Sequence, residues 1–214
     1  MAGDPAPLIE TGALVLFQGD SITDAGRNRD DPADLGWGYA ALTAAWFSAA
    51  HPARGARFLN CGVSGDRVKD LRARWKSDCL DLKPAWLSIM IGINDCWRRY
   101  DSNDVTDAAD FESAYRNILA QARERLGVRL ILIEPFLVPV SEDQKRWRED
   151  LDPKIEAVRR LGKEFGAILV PLDGLFAEAC KSRPPSFWAA DGVHPTLPGH
   201  ALISRALLKS VGAI

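Results

Sequence analysis

An α/β fold with a parallel sheet covered by helices on both faces is predicted, and three observations predict it. Five short runs are apolar throughout rather than alternating, as strands buried on both faces are. Longer amphipathic stretches stand between them, the alternation that builds a helix-covered parallel sheet. The chain of 214 residues is long enough to bury roughly 70% of its unfolded surface around one core. No linker, repeat or low-complexity segment divides it, so residues 1–214 read as a single domain.

Taken in order, the expected strands are Ala13 to Gln18 (ALVLFQ), Arg57 to Cys61, Trp86 to Ile91 (WLSIMI), Arg129 to Glu134 (RLILIE) and Ala167 to Leu172 (AILVPL), each ending near Gly, Asn, Asp or Pro. Between them, Tyr39 to Ala50 and Val68 to Asp81 read as helices. The clearest helix follows, where Phe111, Tyr115, Ile118, Leu119, Ala122 and Leu126 recur on one face and Asp110 stands in position to cap the start. Leu151 to Phe165 reads as a helix closed by Gly166, with Pro153 in its first turn, and Leu197 to Val211 as one opened by Thr196. In open parallel sheets ligands bind beyond the carboxyl ends of the strands. The loops to search are therefore Gly19 to Gly38, Gly62 to Arg67, Gly92 to Asp107, Phe136 to Asp150 and Lys181 to Pro195.

Composition narrows the function. With 47% hydrophobic and 26% charged residues the chain is an ordinary globular protein rather than a disordered or fibrous one. Lys plus Arg number 27 against 29 for Asp plus Glu, a net charge of −2, which offers no basic excess for a nucleic acid. Cys61, Cys79, Cys96 and Cys180 are too few and too widely spaced for a disulfide scaffold or a Cys-x-x-Cys pair. The segment Met1 to Glu10 lacks the basic start and apolar core of an export signal, and no run reaches the roughly 18 apolar residues of a membrane span. A cytoplasmic protein is the expectation.

The first loop opens Gly19-Asp20-Ser21-Ile22-Thr23, placing a serine where a buried strand turns toward a helix. Ser21 is a candidate nucleophile, although a helix-capping serine would look the same. Such a hydroxyl needs a base oriented by a third group. Of the three histidines, His51 follows a helix end and His200 lies inside the last helix, whereas His194 sits in the turn Asp191-Gly192-Val193-His194-Pro195. There Asp191 can reach back to the imidazole and leave its other nitrogen for Ser21; a turn-stabilising pair is the plainer alternative. A metal reading of Asp191 and His194 lacks further ligands, so no metal and no cofactor is expected. Donors for an oxyanion are offered by the glycines of Asn60-Cys61-Gly62-Val63-Ser64-Gly65-Asp66 and by the amide of Asn94 in Gly92-Ile93-Asn94-Asp95. Each of these residues also suits an ordinary turn or cap. Their common position at the carboxyl ends of four strands favours chemistry.

Gly19-Asp20-Ser21-Ile22, Gly65 in Ser64-Gly65-Asp66, Asn94 in Gly92-Ile93-Asn94-Asp95, and Asp191 to His194 resemble, in order and spacing from about Leu16 to His200, the four sequence blocks of the SGNH, or GDSL, hydrolases. The resemblance implies a three-layer α/β/α sandwich whose five-stranded parallel sheet has flavodoxin-like order, no cofactor, and hydrolysis of esters or thioesters. It implies Ser21 as nucleophile, His194 as base and Asp191 as its orienting acid. The backbone N–H groups of Ser21 and Gly65 and the side chain of Asn94 would form the oxyanion hole. Ile22 replaces the leucine of the family's name. The strings LFQGDSITDAGRNR, LGWGYAA, NCGVSGDRVKDLRARW and KPAWLSIMIGINDCWRRYD look most like the branch containing acetyl esterases of xylan and xylo-oligosaccharides. Those enzymes carry an aromatic residue directly before the catalytic Asp, where this chain has Ala190, with Trp188 two residues earlier.

Of the seven tryptophans, Trp37, Trp97 and Trp188 fall in the searched loops, where a flat ring can pack against a sugar. Trp46, Trp75 and Trp86 read as packing, and Arg98 and Arg99 as solvated charges rather than holders of an acidic substrate. A carbohydrate O-acetylesterase is the leading reading. A lipid-type esterase or thioesterase on the same residues is the alternative, for which Phe136, Leu137, Val138, Pro139 and Val140 could form an acyl-chain loop. A flavodoxin-like binding module using Gly19 to Thr23 as an anion turn is the third, and it has no use for Asp191 and His194. The expected partner is a small-molecule ester, by the resemblance an acetylated saccharide, with no nucleic acid and no membrane; self-association into a homo-oligomer is left open.

Overall fold

Runs that are apolar on both sides have two faces to bury, and the sheet they form buries both. In the computed structural model, which describes residues 7–214, the strands are β1 (Leu14–Gly19), β2 (Arg57–Asn60), β3 (Trp86–Met90), β4 (Arg129–Ile133) and β5 (Ile168–Val170). Residues 1–6, the start of the segment read for an export signal, lie outside the described residues. The strands pair in the order β2-β1-β3-β4-β5, every pair parallel. Val15 lies opposite Phe58 on one side and Trp86 on the other, so the chain reverses its direction of winding between β1 and β3. That reversal opens a crevice at the carboxyl ends of these two strands.

Successive strand residues point to opposite faces, and the core divides accordingly. Val15, Phe17, Trp86, Met90, Ile131, Ile133 and Val170 face one cluster. There they meet α2 (Tyr39–Ala50), α8 (Leu172–Ala179) and α10 (Leu197–Ser210). Leu16, Leu87, Ile89, Leu130 and Leu132 face the other, against α3 (Val68–Ala73), α5 (Ala108–Leu126) and α7 (Arg148–Glu164). Each fully buried aliphatic side chain here contributes about 1.5–3 kcal/mol relative to exposure. The remaining helices are α1 (Ser21–Asp24), α4 (Ile93–Asp101), α6 (Glu142–Arg146) and α9 (Pro185–Trp188).

Several boundaries differ from the sequence expectation for identifiable reasons. The helix expected over Val68 to Asp81 is α only to Ala73 and becomes a π turn over Lys76–Leu80. The side chain of Gln18 there donates to the carbonyl of Asp78 at 2.6 Å. Asp107, not Asp110, occupies the N-cap position of α5, and Asp110 lies within the first turn. Pro153 is inside α7 rather than in its first turn, because the apolar face continues back through Leu151 to Trp147, which is 5% exposed. Phe136, Leu137 and Val138, read as part of an apolar loop for acyl chains, are buried in the core, with Phe136 stacked on Phe176 at 4.1 Å. Trp46, read as packing, is 62% exposed, whereas Trp75 and Trp86 are buried as expected.

Close packing of the loops depends on two glycines. A Cβ on Gly19 would stand 2.3 Å from Thr23 Oγ1 and 2.4 Å from the Met90 carbonyl oxygen; one on Gly62 would stand 2.4 Å from the Asp24 nitrogen. Overpacking against backbone typically costs about 1–3 kcal/mol. Gly19→Ala should lower the denaturant midpoint by a corresponding amount with an unchanged m-value, and an unaltered midpoint would show that β3 yields to the methyl group.

Candidate active site

β1 ends at Gly19 and the chain turns at once into α1. Asp20 caps that turn, its Oδ1 accepting the Ile22 N–H at 3.0 Å, which leaves Ser21 as the first helical residue at the mouth of the crevice. Beyond β5 in the chain, α9 leads into the turn Asp191-Gly192-Val193-His194. Here Asp191 Oδ1 accepts the backbone N–H groups of Val193 (3.0 Å) and His194 (2.7 Å). Asp191 Oδ2 then lies 2.6 Å from His194 Nδ1, and His194 Nε2 lies 2.9 Å from Ser21 Oγ. Three side chains separated by up to 173 positions are thus in one hydrogen-bonded line.

Electrostatics suit that line. Burial draws the Asp191 carboxyl upward, but the hydrogen bonds from the His194 side chain and from the His194 and Val193 amides outweigh it and hold it below the usual carboxylate range. It is therefore an anion at neutral pH, able to hold the imidazole with Nδ1–H toward itself and Nε2 free to take a proton from Ser21. The other histidines are engaged elsewhere. His51 Nε2 lies 2.9 Å from the Ala213 carbonyl. His200 accepts the Tyr39 N–H, and burial together with the charge of His194 pushes its pKa down to about 4.

The second and third loops come to the same mouth. At the end of β2, Asn60 is fully buried and organises the turn that follows. Its Nδ2 donates to the carbonyls of Thr23 (2.7 Å) and Leu35 (3.1 Å), and its Oδ1 accepts the Gly62 N–H (2.9 Å). The Ser64 N–H is taken by Asp24 Oδ2, itself paired with Arg29. Gly65 then has φ +88° with open space where a Cβ would project. Conformation rather than crowding requires glycine there. Asn94, in the first turn of α4 rather than in a loop, is 4% exposed, and its Nδ2 donates one hydrogen to the Asp66 carbonyl at 3.1 Å. The second amide hydrogen has no partner among the described residues.

Sequence reasoning missed the residues that hold these loops. Asn60 falls at the end of the expected strand Arg57 to Cys61 and Asp95 reads as a turn or cap residue, while Asp24 and Gln144 carry no sequence signal of their own. Asp95 is fully buried and accepts the Val68 N–H with both oxygens, at 3.1 and 3.3 Å. The available signal was a polar residue at the end of an apolar strand, which has to be paired when buried.

The three tryptophans differ. Trp37, in the loop before α2, is 59% exposed, with its edge against His200 at 5.1 Å. Trp97 lies within α4, half-buried against Trp147 at 5.5 Å, with its ring 5.9 Å from that of His194. Trp188 ends α9, donates Nε1–H to the Ala179 carbonyl and packs on Phe187. Arg98 pairs with Asp101, and Arg99 with Asp150 and Asp107.

Comparison with known proteins bears on the family and the fold. Residues 17–202 match the family described as GDSL-like lipase/acylhydrolase. An acetylxylan esterase from Geobacillus stearothermophilus is 36% identical over 212 residues, 95% of this chain and 96% of that protein. Its crystal structure superposes with a TM-score of 0.90 and 96% coverage of both chains. Structures of that enzyme include catalytic mutants in which an aspartate, a histidine or a serine is replaced by alanine. A protein named as a GDSL-like lipase, from Parabacteroides merdae, is 35% identical with a TM-score of 0.93, covering 98% of this chain and all of its own.

Two carboxyls beneath the mouth make stability depend on pH. Burial and neighbouring carboxylates raise the pKa of Asp20 to about 7. Burial raises that of Asp95 to about 7 against the Val68 N–H and the charges of Lys154 and Arg67. A folded-state pKa above the unfolded value of about 3.9 means the folded chain keeps a proton that the unfolded chain releases, so stability falls as pH rises from about 4 to about 7. Asp95→Asn keeps an acceptor for Val68 without the charge. Its melting temperature relative to the parent protein should be higher at pH 8 than at pH 5, and an equal difference at both values would refute the assignment.

Proposed function

The chain belongs to the GDSL-like lipase/acylhydrolase family and is a carboxylic ester hydrolase, and on that premise we propose that it is a serine esterase removing acetyl groups from carbohydrates such as xylo-oligosaccharides. The observation that carries the chemistry is the unbroken line Ser21–His194–Asp191, with separations of 2.9 and 2.6 Å. In this reading Ser21 Oγ attacks the ester carbonyl while His194 Nε2 takes its proton, and Asp191 stabilises the imidazolium that forms. Negative charge moves to the carbonyl oxygen, where the N–H groups of Ser21 and Gly65 and the free amide hydrogen of Asn94 receive it. The bond from Asn94 to the Asp66 carbonyl orients the amide before substrate arrives, so no reorganisation is needed in the transition state. His194 returns the proton to the departing sugar oxygen. Water, deprotonated by the same imidazole, then releases acetate from Ser21 and restores the serine.

The acetyl-sugar assignment is supported by the relative that hydrolyses acetylxylan and by the exposed ring of Trp37. Burial of Phe136, Leu137 and Val138 removes most of the apolar loop on which a long acyl chain could have lain, which weighs against the lipid-type alternative.

An acyl-length series decides the substrate class. If the site accepts only acetyl groups, kcat/KM should fall steeply beyond propionyl esters through steric exclusion, and acetylated xylo-oligosaccharides should be better substrates than a simple acetyl ester. Ser21→Ala should abolish both activities. A groove for lipid would instead gain about 0.8 kcal/mol per added methylene, so hexanoyl esters cleaved as fast as acetyl esters, with acetylated sugars untouched, would overturn the proposal. For the oxyanion role, Asn94→Ala should lower kcat about 10²- to 10³-fold with little change in KM. A raised KM at constant kcat would make Asn94 a substrate-positioning group.

A further inference from the structure

We propose that Gln144 is a positioning residue for the Asp191–His194 pair, an inference that rests on the esterase reading. Gln144 lies in α6, 47 residues before Asp191, outside the four sequence blocks. Its Nε2 donates to the backbone carbonyl of Asp191 at 2.6 Å, and its Oε1 accepts the Val140 N–H at 2.9 Å. These partners permit one orientation of the amide. Turning it over would set an NH2 group against an N–H and a carbonyl against a carbonyl. The residue itself is fixed by the helix start, where Ser141 Oγ accepts the Gln144 N–H at 3.3 Å.

The side chain lies across Gly192, close enough that a Cβ there would meet Oε1 at 2.5 Å. Gly192 has φ +86°, and its carbonyl accepts the Val138 N–H at 3.0 Å. The turn bearing Asp191 is therefore tied to the connection after β4 at two successive carbonyls, those of Asp191 and Gly192.

Such a tether matters because packing does little at this position. The side chains of Asp191 and His194 are 48% and 46% exposed. What holds the carboxylate is the peptide geometry of its own turn, and the peptide between Asp191 and Gly192 adjoins the one residue in that turn with a left-handed, glycine-type backbone. Gln144 grips the carbonyl of that peptide. Without the grip the peptide plane can rotate, carrying Asp191 Oδ2 away from Nδ1 and letting the imidazole leave its line to Ser21. A displacement of about 1 Å in such machinery can cost on the order of 10²-fold in rate. The amide is spent on two backbone groups of the protein, the Asp191 carbonyl and the Val140 N–H, so the loss should fall on kcat and spare binding.

The experiment measures kcat and KM for Gln144→Met, Asp191→Asn and the double variant, with melting temperatures alongside. Gln144→Met has similar length and no hydrogen-bonding group. The inference expects kcat about 10- to 100-fold lower with KM within about twofold, and no further loss when Gln144→Met is added to Asp191→Asn, because the tether acts through that carboxylate. Gln144→Glu supplies a second route if the methionine variant does not fold. It can still accept from Val140 but, as a carboxylate, has no hydrogen for the Asp191 carbonyl, and it should show the same fall in kcat. Wild-type kcat in a folded Gln144 variant, or losses that multiply fully in the double variant, would overturn the inference while leaving the esterase reading intact. Wild-type kcat in Asp191→Asn would overturn both.

Discussion

Everything at the mouth of the sheet depends on backbone meeting backbone with no side chain between. Gly19 and Gly62 allow the ends of β1, β3 and the second loop to approach at distances that a single methyl group would block. The Val63 N–H can then reach the Gly19 carbonyl at 3.0 Å, and Asn94 Nδ2 can reach the Asp66 carbonyl at 3.1 Å. Those two bonds join the first loop to the second and the second to the third. The segments that carry Ser21, Gly65 and Asn94 are brought side by side as a consequence.

The two halves of the site are held by different physics. On the serine side, buried polar side chains replace apolar packing. Asn60 fills three hydrogen-bonding positions, Asp24 holds Ser64, and Asp95 holds Val68. Such networks specify a unique arrangement only when their members are paired. One atom here is not, since Asp20 Oδ2 is buried without a partner among the described residues, which accords with a carboxyl whose pKa is drawn up toward neutrality. On the histidine side the pair is exposed and relies on a turn that hydrogen-bonds to itself, backed by the ring of Trp97.

The aromatic residues show how little residue type says about environment. Trp37, Trp97 and Trp188 stand near the site in the sequence, yet one is exposed, one packs beside His194 and one is anchored through its indole N–H. Trp46, on α2, lies exposed beside Leu42, Leu208 and Ile214. Burial of an aromatic ring depends on which neighbouring element covers it, and a helix of almost uniform hydrophobicity such as α2 does not declare which side that will be.

The sequence by itself determined the class of fold and the number of strands, and it singled out Ser21, Asp191 and His194 as candidates, which the structure brings into one hydrogen-bonded line. These are local properties: an apolar run long enough to be buried on both faces, a glycine where φ must be positive, and an aspartate spaced to reach a histidine within one turn. Helix starts such as that of α7 were less legible, because Pro153 imitates a first-turn signal while the apolar face continues behind it to Trp147. Only the tertiary structure decided that Phe136 to Val138 go into the core, that Asn60 and Asp95 are buried anchors, and that Gln144 grips the turn of Asp191. The reason is common to all of them. Each is settled by a partner tens of residues away, and no pattern within a short window of sequence carries the identity of such a partner.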